Sequence, residues 1–169
     1  MERQGIVTIH GNPLTLVGPE LKVGDTAPDF TLLDNSLEPV TLADVKGSLL
    51  IISVVPSLDT PVCDLQTRRF NQEADSLAGV KVLTVSMDLP FAQARWCGAA
   101  GVKSVQTLSD HRDANFGLNW GLLLKELRLL ARAVFVVDST GVISHFELVP
   151  EVSSEPDYAA ALAAARALG

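Results

Sequence analysis

Cysteine is scarce in this chain: Cys63 and Cys97 are the only two among 169 residues. A chain of this length buries about two-thirds of the surface its unfolded form exposes, so it needs no disulfide staple to be stable. The two cysteines lie 34 positions apart, which excludes a Cys-x-x-Cys redox element. Histidine is as sparse, and His10, His111 and His145 are scattered. A structural zinc site needs about four clustered ligands. A papain-like cysteine hydrolase needs a histidine base in a local signature. Neither pattern is present. Basic charge is also in deficit, with 13 Lys and Arg against 20 Asp and Glu and a net charge of −7. Nucleic acid is therefore a poor surface partner. Long apolar runs are missing: residues 49–55 and 133–137 are far too short to span a bilayer. The first ten residues carry no apolar core of signal-peptide length. These absences lead us to expect no membrane association and a cytoplasmic location. In that compartment a cysteine pair is more often free, metal-bound or catalytic than structural.

What is present is a regular succession of strand and helix signals. Residues 6–10 and 14–17 flank Gly11-Asn12-Pro13 and predict an N-terminal β-hairpin. A turn at residues 24–28 precedes short strands at 30–33 and 39–42. The apolar run 49–55 reads as a buried strand and leads into a helix reaching residue 78. A second buried strand is predicted at 80–86, then a helix at 91–100, opened by Pro90 and closed near Gly98 or Gly101. Residues 113–131 read either as a helical turn followed by loop or as further helix. A hairpin is predicted from 133–137 and 142–146, around residues 138–141, and an Ala-rich helix from 157–168. No repeat, linker or composition break divides the chain, so one α/β layered domain over residues 1–169 is expected. In such sheets, sites gather at the carboxyl ends of strands, where residues 56–63 would lie.

Within that segment Thr60 is a natural helix N-cap, Pro61 suits the first helical position, and Cys63 falls at the third. A thiol in the first turn of a helix faces unpaired backbone N–H groups and the positive end of the dipole, which favours a thiolate nucleophile. On a helical wheel Cys63 shares a face with Phe70, Ala74 and Leu77. The sulfur should therefore point inward, partly buried at the top of the helix–sheet interface. Asp64 opposes thiolate formation, but projects about 100° away around the helix. A small buried hydrophobe is the competing reading of this cysteine.

The spacing Pro56-x-x-x-Thr60-x-x-Cys63 resembles the active-site motif of the peroxiredoxins. The stretch at residues 57–72 is similar to their thiol peroxidase branch in particular. So are Asp88-Leu-Pro-Phe-Ala-Gln-x-Arg-x-Cys-Gly98, residues 131–138, Glu155-Pro-Asp-Tyr-x-Ala-Ala161 and the Gly-Asn-Pro hairpin. The resemblance covers nearly the whole chain. It implies a thioredoxin-like three-layer fold with a central mixed sheet flanked by helices, and reduction of hydroperoxides by a cysteine thiolate.

In those terms Cys63 matches the peroxidatic cysteine, and Thr60, Arg132 and Pro56 match its partners. Thr60 would hydrogen-bond the sulfur or the peroxide, Arg132 would stabilise the thiolate and the polarised peroxide, and Pro56 would shield the sulfur. Cys97 matches the cysteine that resolves the sulfenic acid into an intramolecular disulfide, with thioredoxin as reductant. The resemblance also implies a homodimer, and neither cofactor nor metal. Leu58, Phe91 and Trp96 would form an apolar collar at the site. Because bridged cysteines need Cα atoms within about 7 Å, the helix around Cys97 is expected to loosen on oxidation. The non-enzymatic alternative is a redox-sensing binding protein using the same two cysteines.

Overall fold

The computed structural model describes residues 1–169. The chain opens on the expected hairpin, β1 (Glu2–Ile9) and β2 (Asn12–Val17). Its turn is His10–Gly11, one step earlier than the Gly-Asn-Pro signal implies: Asn12 pairs with Ile9 and Pro13 with Thr8. Both turn residues have positive φ, 49° and 79°, the two-residue geometry whose twist matches paired strands. Next come β3 (Thr31–Leu33), β4 (Pro39–Thr41) and a single helical turn, α1 (Leu42–Val45).

Strand β5 (Leu49–Val54) is buried at every position, as its unbroken apolar run requires of a central strand. Helix α2 (Pro61–Ala74) starts where predicted and stops four residues early. Ser76 and Leu77 instead donate to Glu73 and Ala74 in tight three-residue turns. Strand β6 (Val80–Ser86) and helix α3 (Pro90–Ala100) follow as read from the sequence. Strand β7 (Val105–Ser109) was not foreseen, because Gln106, Thr107 and Ser109 interrupt its apolar pattern. Parallel pairing with β6 fixes it as strand.

The ambiguous stretch resolves into α4 (Asn115–Asn119), β8 (Leu123–Leu124) and β9 (Leu129–Leu130). The chain ends with the predicted hairpin, β10 (Ala133–Val137) and β11 (Ile143–Leu148), and helix α5 (Tyr158–Leu168). Asp157 caps α5 by accepting the Ala160 N–H at 3.0 Å.

Seven strands form one mixed sheet in the order β11-β10-β5-β6-β7-β3-β4, with β5, β6 and β7 mutually parallel. The crossovers through α2 and α3 place both helices on one face, where Ile51, Val82, Val134 and Val136 meet Phe70, Trp96 and the Ala161–Leu162–Ala165 stripe of α5. The alternate residues Leu50, Ile52, Leu83, Val85 and Phe135 pack on the opposite side against Phe116, Trp120 and a four-stranded sheet, β1-β2-β8-β9. The result is the expected three-layer α/β arrangement. No helix is long and apolar enough to cross a membrane.

Asp110, only 2 % exposed, accepts the N–H groups of Phe116 and Gly117 at 3.0 and 2.8 Å and so holds the start of α4. Burial nevertheless raises its carboxyl from 3.8 to about 6, against the effect of the amide hydrogen bonds. A raised carboxyl binds its proton more tightly in the folded state. Its contribution is therefore full below the unfolded value and is lost as pH rises through about 6. Over that window wild type should lose stability on the order of 3 kcal/mol relative to Asp110→Asn. The check is the urea midpoint of both proteins between pH 4 and 6; parallel curves would contradict the assignment.

Candidate active site

The site is built by the pairing of β5 with β10. Ala133 stands opposite Val54, so Arg132, one residue earlier, lies level with the carboxyl end of β5. There the chain leaves the sheet through Pro56 toward α2. Arg132 is 2 % exposed, and a buried guanidinium needs acceptors for its fork of N–H donors. It finds three: Nε donates to the Val152 carbonyl at 2.8 Å, Nη1 to Gln66 Oε1 at 2.9 Å, and Nη2 to Cys63 Sγ at 3.2 Å. Gln66 is itself held by donating to Ser53 Oγ of β5 at 2.7 Å.

Cys63 is the third residue of α2, as the sequence predicts, and is fully buried rather than partly so. Val55 and Leu58 enclose it, with Trp96 packed alongside, and the guanidinium covers its remaining side. Phe70, Ala74 and Leu77 share its inward face against the sheet. Thr60 occupies the N-cap position with extended backbone (φ −98°), yet its hydroxyl does not cap the helix. It donates to the Ser57 carbonyl at 3.1 Å and makes no hydrogen bond to the sulfur. The N-cap side chain thus leaves the first-turn amides beside Cys63 without a capping acceptor. Asp64 turns away, accepting from Arg68 Nε and from Trp96 Nε1, each at 2.9 Å. Both nearby fields, helix terminus and guanidinium, favour negative charge on the sulfur.

A cavity of about 400 Å³ adjoins this arrangement, walled by Pro56, Thr60, Pro61, Val62, Arg132 and Val152 with Ile9, His10, Leu129 and Ser153. Arg132 therefore faces both the cavity and the sulfur. The hairpin tip forms one wall because Glu151 pins it. That carboxylate accepts from Ser153 Oγ and N–H at 2.6 and 2.9 Å, from the Gly11 N–H at 2.9 Å and from Thr8 Oγ1 at 3.0 Å. The Ser153 hydroxyl, then these amide and hydroxyl donors, hold it below the usual carboxylate range. The loop before α2 is fixed by Asp88, which accepts from Ser57 Oγ at 2.7 Å and the Leu58 N–H at 2.8 Å.

Four of the five predicted site residues, Pro56, Thr60, Cys63 and Arg132, thus come together. Cys97 does not join them. It is a free thiol, half-buried, with Sγ 3.5 Å from Thr107 Oγ1. It opens on a separate cavity of about 340 Å³ with Asp34, Asn35 and Ser36. Of the predicted collar, Leu58 and Trp96 lie against Cys63, whereas Phe91 is 65 % exposed and outside that cluster. Gln66, Ser53, Val152 and the hairpin tip were missed. Gln66 carried a signal, an amide one helical turn after Cys63 on the inward face that leads to Phe70, Ala74 and Leu77. The Val152 carbonyl carried none. No group of three or more His, Cys, Asp or Glu side chains converges to hold a metal ion.

A buried cysteine at a helix N-terminus beyond a parallel strand, with a guanidinium on its sulfur, defines a thiol-redox domain of thioredoxin-like build. Residues 22–162 match the Redoxin family model, and the chain belongs to that family. A thiol peroxidase of Bacillus subtilis (strain 168) is 60 % identical over 162 residues, covering 96 % of this chain and 97 % of the relative. A thiol peroxidase of Staphylococcus aureus (strain MRSA252) is 57 % identical over 158 residues, 94 % and 96 % of the two chains. The crystal structure of a peroxiredoxin-like protein from Aquifex aeolicus superposes with a TM-score of 0.91 at 40 % identity, over 99 % of both chains.

The hydrogen bond from Arg132 to the sulfur has a direct readout. Charge-assisted bonds contribute roughly 1.5–3 kcal/mol, so Arg132→Met should slow alkylation of Cys63 by iodoacetamide by about ten-fold or more. Wild-type alkylation rates in a variant whose circular dichroism shows it folded would remove Arg132 from the site.

Proposed function

We propose that this protein is a peroxidase that reduces hydrogen peroxide and organic hydroperoxides through Cys63, with thioredoxin as the electron donor. The observation that carries this reading is the Arg132 Nη2 to Cys63 Sγ hydrogen bond at 3.2 Å, beside a cavity the same guanidinium lines. The Cys63 thiolate attacks the nearer peroxide oxygen along the O–O axis. The S–O bond forms as the O–O bond breaks, giving a sulfenic acid while the departing oxygen leaves as alkoxide or hydroxide and takes a proton to become alcohol or water, respectively. Negative charge moves from sulfur to the leaving oxygen, so donors fixed along that path stabilise the transition state more than the ground state. Arg132 serves both ends of the path, the Thr60 hydroxyl at the cavity wall can turn from Ser57 toward the peroxide, and Pro56 keeps bulk water from the sulfur.

The sulfenic acid then condenses with the Cys97 thiol, forming the S–S bond and releasing water. A dithiol reductant of the thioredoxin type restores both thiols by exchange and is itself oxidised to a disulfide. The burial of Cys63 among Val55, Leu58 and Trp96, while Cys97 opens on a cavity with Asp34, Asn35 and Ser36, supports a rearrangement of α3 before the two sulfurs join. A cytoplasmic setting and a homodimer belong to the same reading. The first is supported by the two free thiols and the second by the exposed Leu65, Leu89 and Phe91 near α2 and the start of α3.

Such a rearrangement of α3 would equally suit a second reading, a redox sensor that reports oxidation by changing shape without turnover. Purified protein supplied with thioredoxin, thioredoxin reductase and NADPH should consume hydroperoxide continuously. Cys63→Ser should abolish consumption, and Cys97→Ser should leave a single turnover. One stoichiometric oxidation by wild type, with no further NADPH use, would favour the sensor. Sustained thioredoxin-supported turnover by Cys97→Ser would remove its resolving role.

A further inference from the structure

Helix α3 is bolted at both ends and latched once in the middle. At its start, buried Gln93 donates to Ser86 Oγ and to the Leu108 carbonyl, at 3.0 and 2.9 Å. Just past its end, Ser104 donates its N–H to Asn71 Oδ1 at 2.8 Å and its hydroxyl to Asp75 Oδ1 at 2.6 Å, both belonging to α2 or its cap. Between these bolts the side-chain hydrogen bonds to the rest of the protein involve three residues. Trp96 Nε1 donates to Asp64 Oδ1 at 2.9 Å, Arg68 Nη1 reaches the Ala100 carbonyl at 3.4 Å, and Cys97 Sγ lies 3.5 Å from Thr107. Arg68 also donates to Asp64 at 2.9 Å and stands over the Trp96 ring, 5.7 Å from its centre. Asp64, Arg68 and Trp96 therefore form one unit, anchored on α2 beside Cys63 and holding the residue next to Cys97. The helix ends on Gly101 in the left-handed conformation (φ 69°), with exposed Gly98 one turn earlier, and these two glycines are the weak points of its last turn.

We propose that Asp64, Arg68 and Trp96 are positioning residues whose latch gates the opening of residues 94–103 and so sets how fast Cys97 reaches oxidised Cys63. This deepens the peroxidase reading and rests on the Cys63–Cys97 pairing proposed above. The gate decides between two fates of the same sulfenic acid. When the segment opens, the Cys97 thiol attacks, the S–S bond forms and water leaves. While it stays closed, a second hydroperoxide transfers an oxygen atom to the sulfenic sulfur, which is oxidised to sulfinic acid as the peroxide is reduced to alcohol or water. A tighter latch makes the protein more easily inactivated by excess peroxide, and a looser one makes it more resistant.

The test uses full-length protein and two variants. Trp96→Phe removes the indole N–H and keeps a ring; Arg68→Gln removes the ion pair and the cation over the ring from a largely exposed position that a folded protein tolerates. Hydrogen exchange of residues 94–103 in the reduced state should be faster by about five-fold for one lost hydrogen bond. After one equivalent of hydrogen peroxide, acid quench and mass spectrometry should show the Cys63–Cys97 disulfide forming faster by a similar factor. At excess peroxide the ratio of sulfinic acid to disulfide should fall correspondingly. A purely structural role would not move that ratio. Disulfide formation at the wild-type rate or slower in both variants overturns the latch while leaving the pairing intact. Wild-type protein that forms no Cys63–Cys97 bond overturns the pairing and the latch together.

Discussion

A positive charge is buried in this protein without a carboxylate to meet it. None of the five salt bridges includes Arg132, and its acceptors are a backbone carbonyl, an amide oxygen and a sulfur. Burying a charge without an opposite charge is among the most unfavourable acts in a protein interior. Cys63 is the one acceptor of the three able to become an anion. The guanidinium and the sulfur therefore complete each other's surroundings. Substituting either leaves the other unsatisfied, so the fold and the chemistry meet at one hydrogen bond.

Each acceptor reaches Arg132 through a different part of the fold. The antiparallel register of β10 on β5 sets the height of the guanidinium against the carboxyl end of the parallel strands. Helix α2 supplies sulfur and amide together, because Cys63 and Gln66 are one turn apart and both fully buried, and Ser53 of β5 fixes the orientation of Gln66. The third acceptor belongs to a segment with no regular structure of its own. Val152 is held by its N–H on the Thr8 carbonyl, and its neighbour Glu151 is clamped onto the hairpin turn. The four-stranded sheet thus acts on the site at a distance, by keeping one carbonyl in place.

Cys63, Thr60 and Pro56 were legible because a strand end, a helix cap and a nucleophile are all written in local sequence. Cys63 at the third helical position and its inward face follow from counting along α2. A guanidinium just before the very apolar run 133–137 made Arg132 conspicuous, but only motif resemblance gave it a role, since nothing local says that the residue before a strand will lie across the sheet from a cysteine 69 positions away. The His10–Gly11 turn and β7 were misread or missed for opposite reasons. In the first, the strong Asn-Pro turn signal yields to strand register; in the second, polar side chains hide a strand that only its neighbours specify. The Val152 carbonyl leaves no trace in sequence because any residue supplies one.

In the proposed cycle the two cysteines make opposing demands on α3. Attack by Cys63 requires the helix in place, since Trp96 is part of what encloses the sulfur and an enclosed site strengthens every field acting on it. Joining the sulfurs requires the same helix to yield, because Cys97 faces Thr107 and a different cavity. A helix stable enough never to open would leave the sulfenic acid stranded, and one too loose would expose the thiolate to water. The observed compromise concentrates strong buried hydrogen bonds at Gln93, places small residues and glycines around Cys97, and entrusts the middle to half-exposed contacts of Asp64, Arg68 and Trp96. Half-exposed contacts contribute little to global stability. They are therefore free to set a local opening equilibrium without endangering the fold.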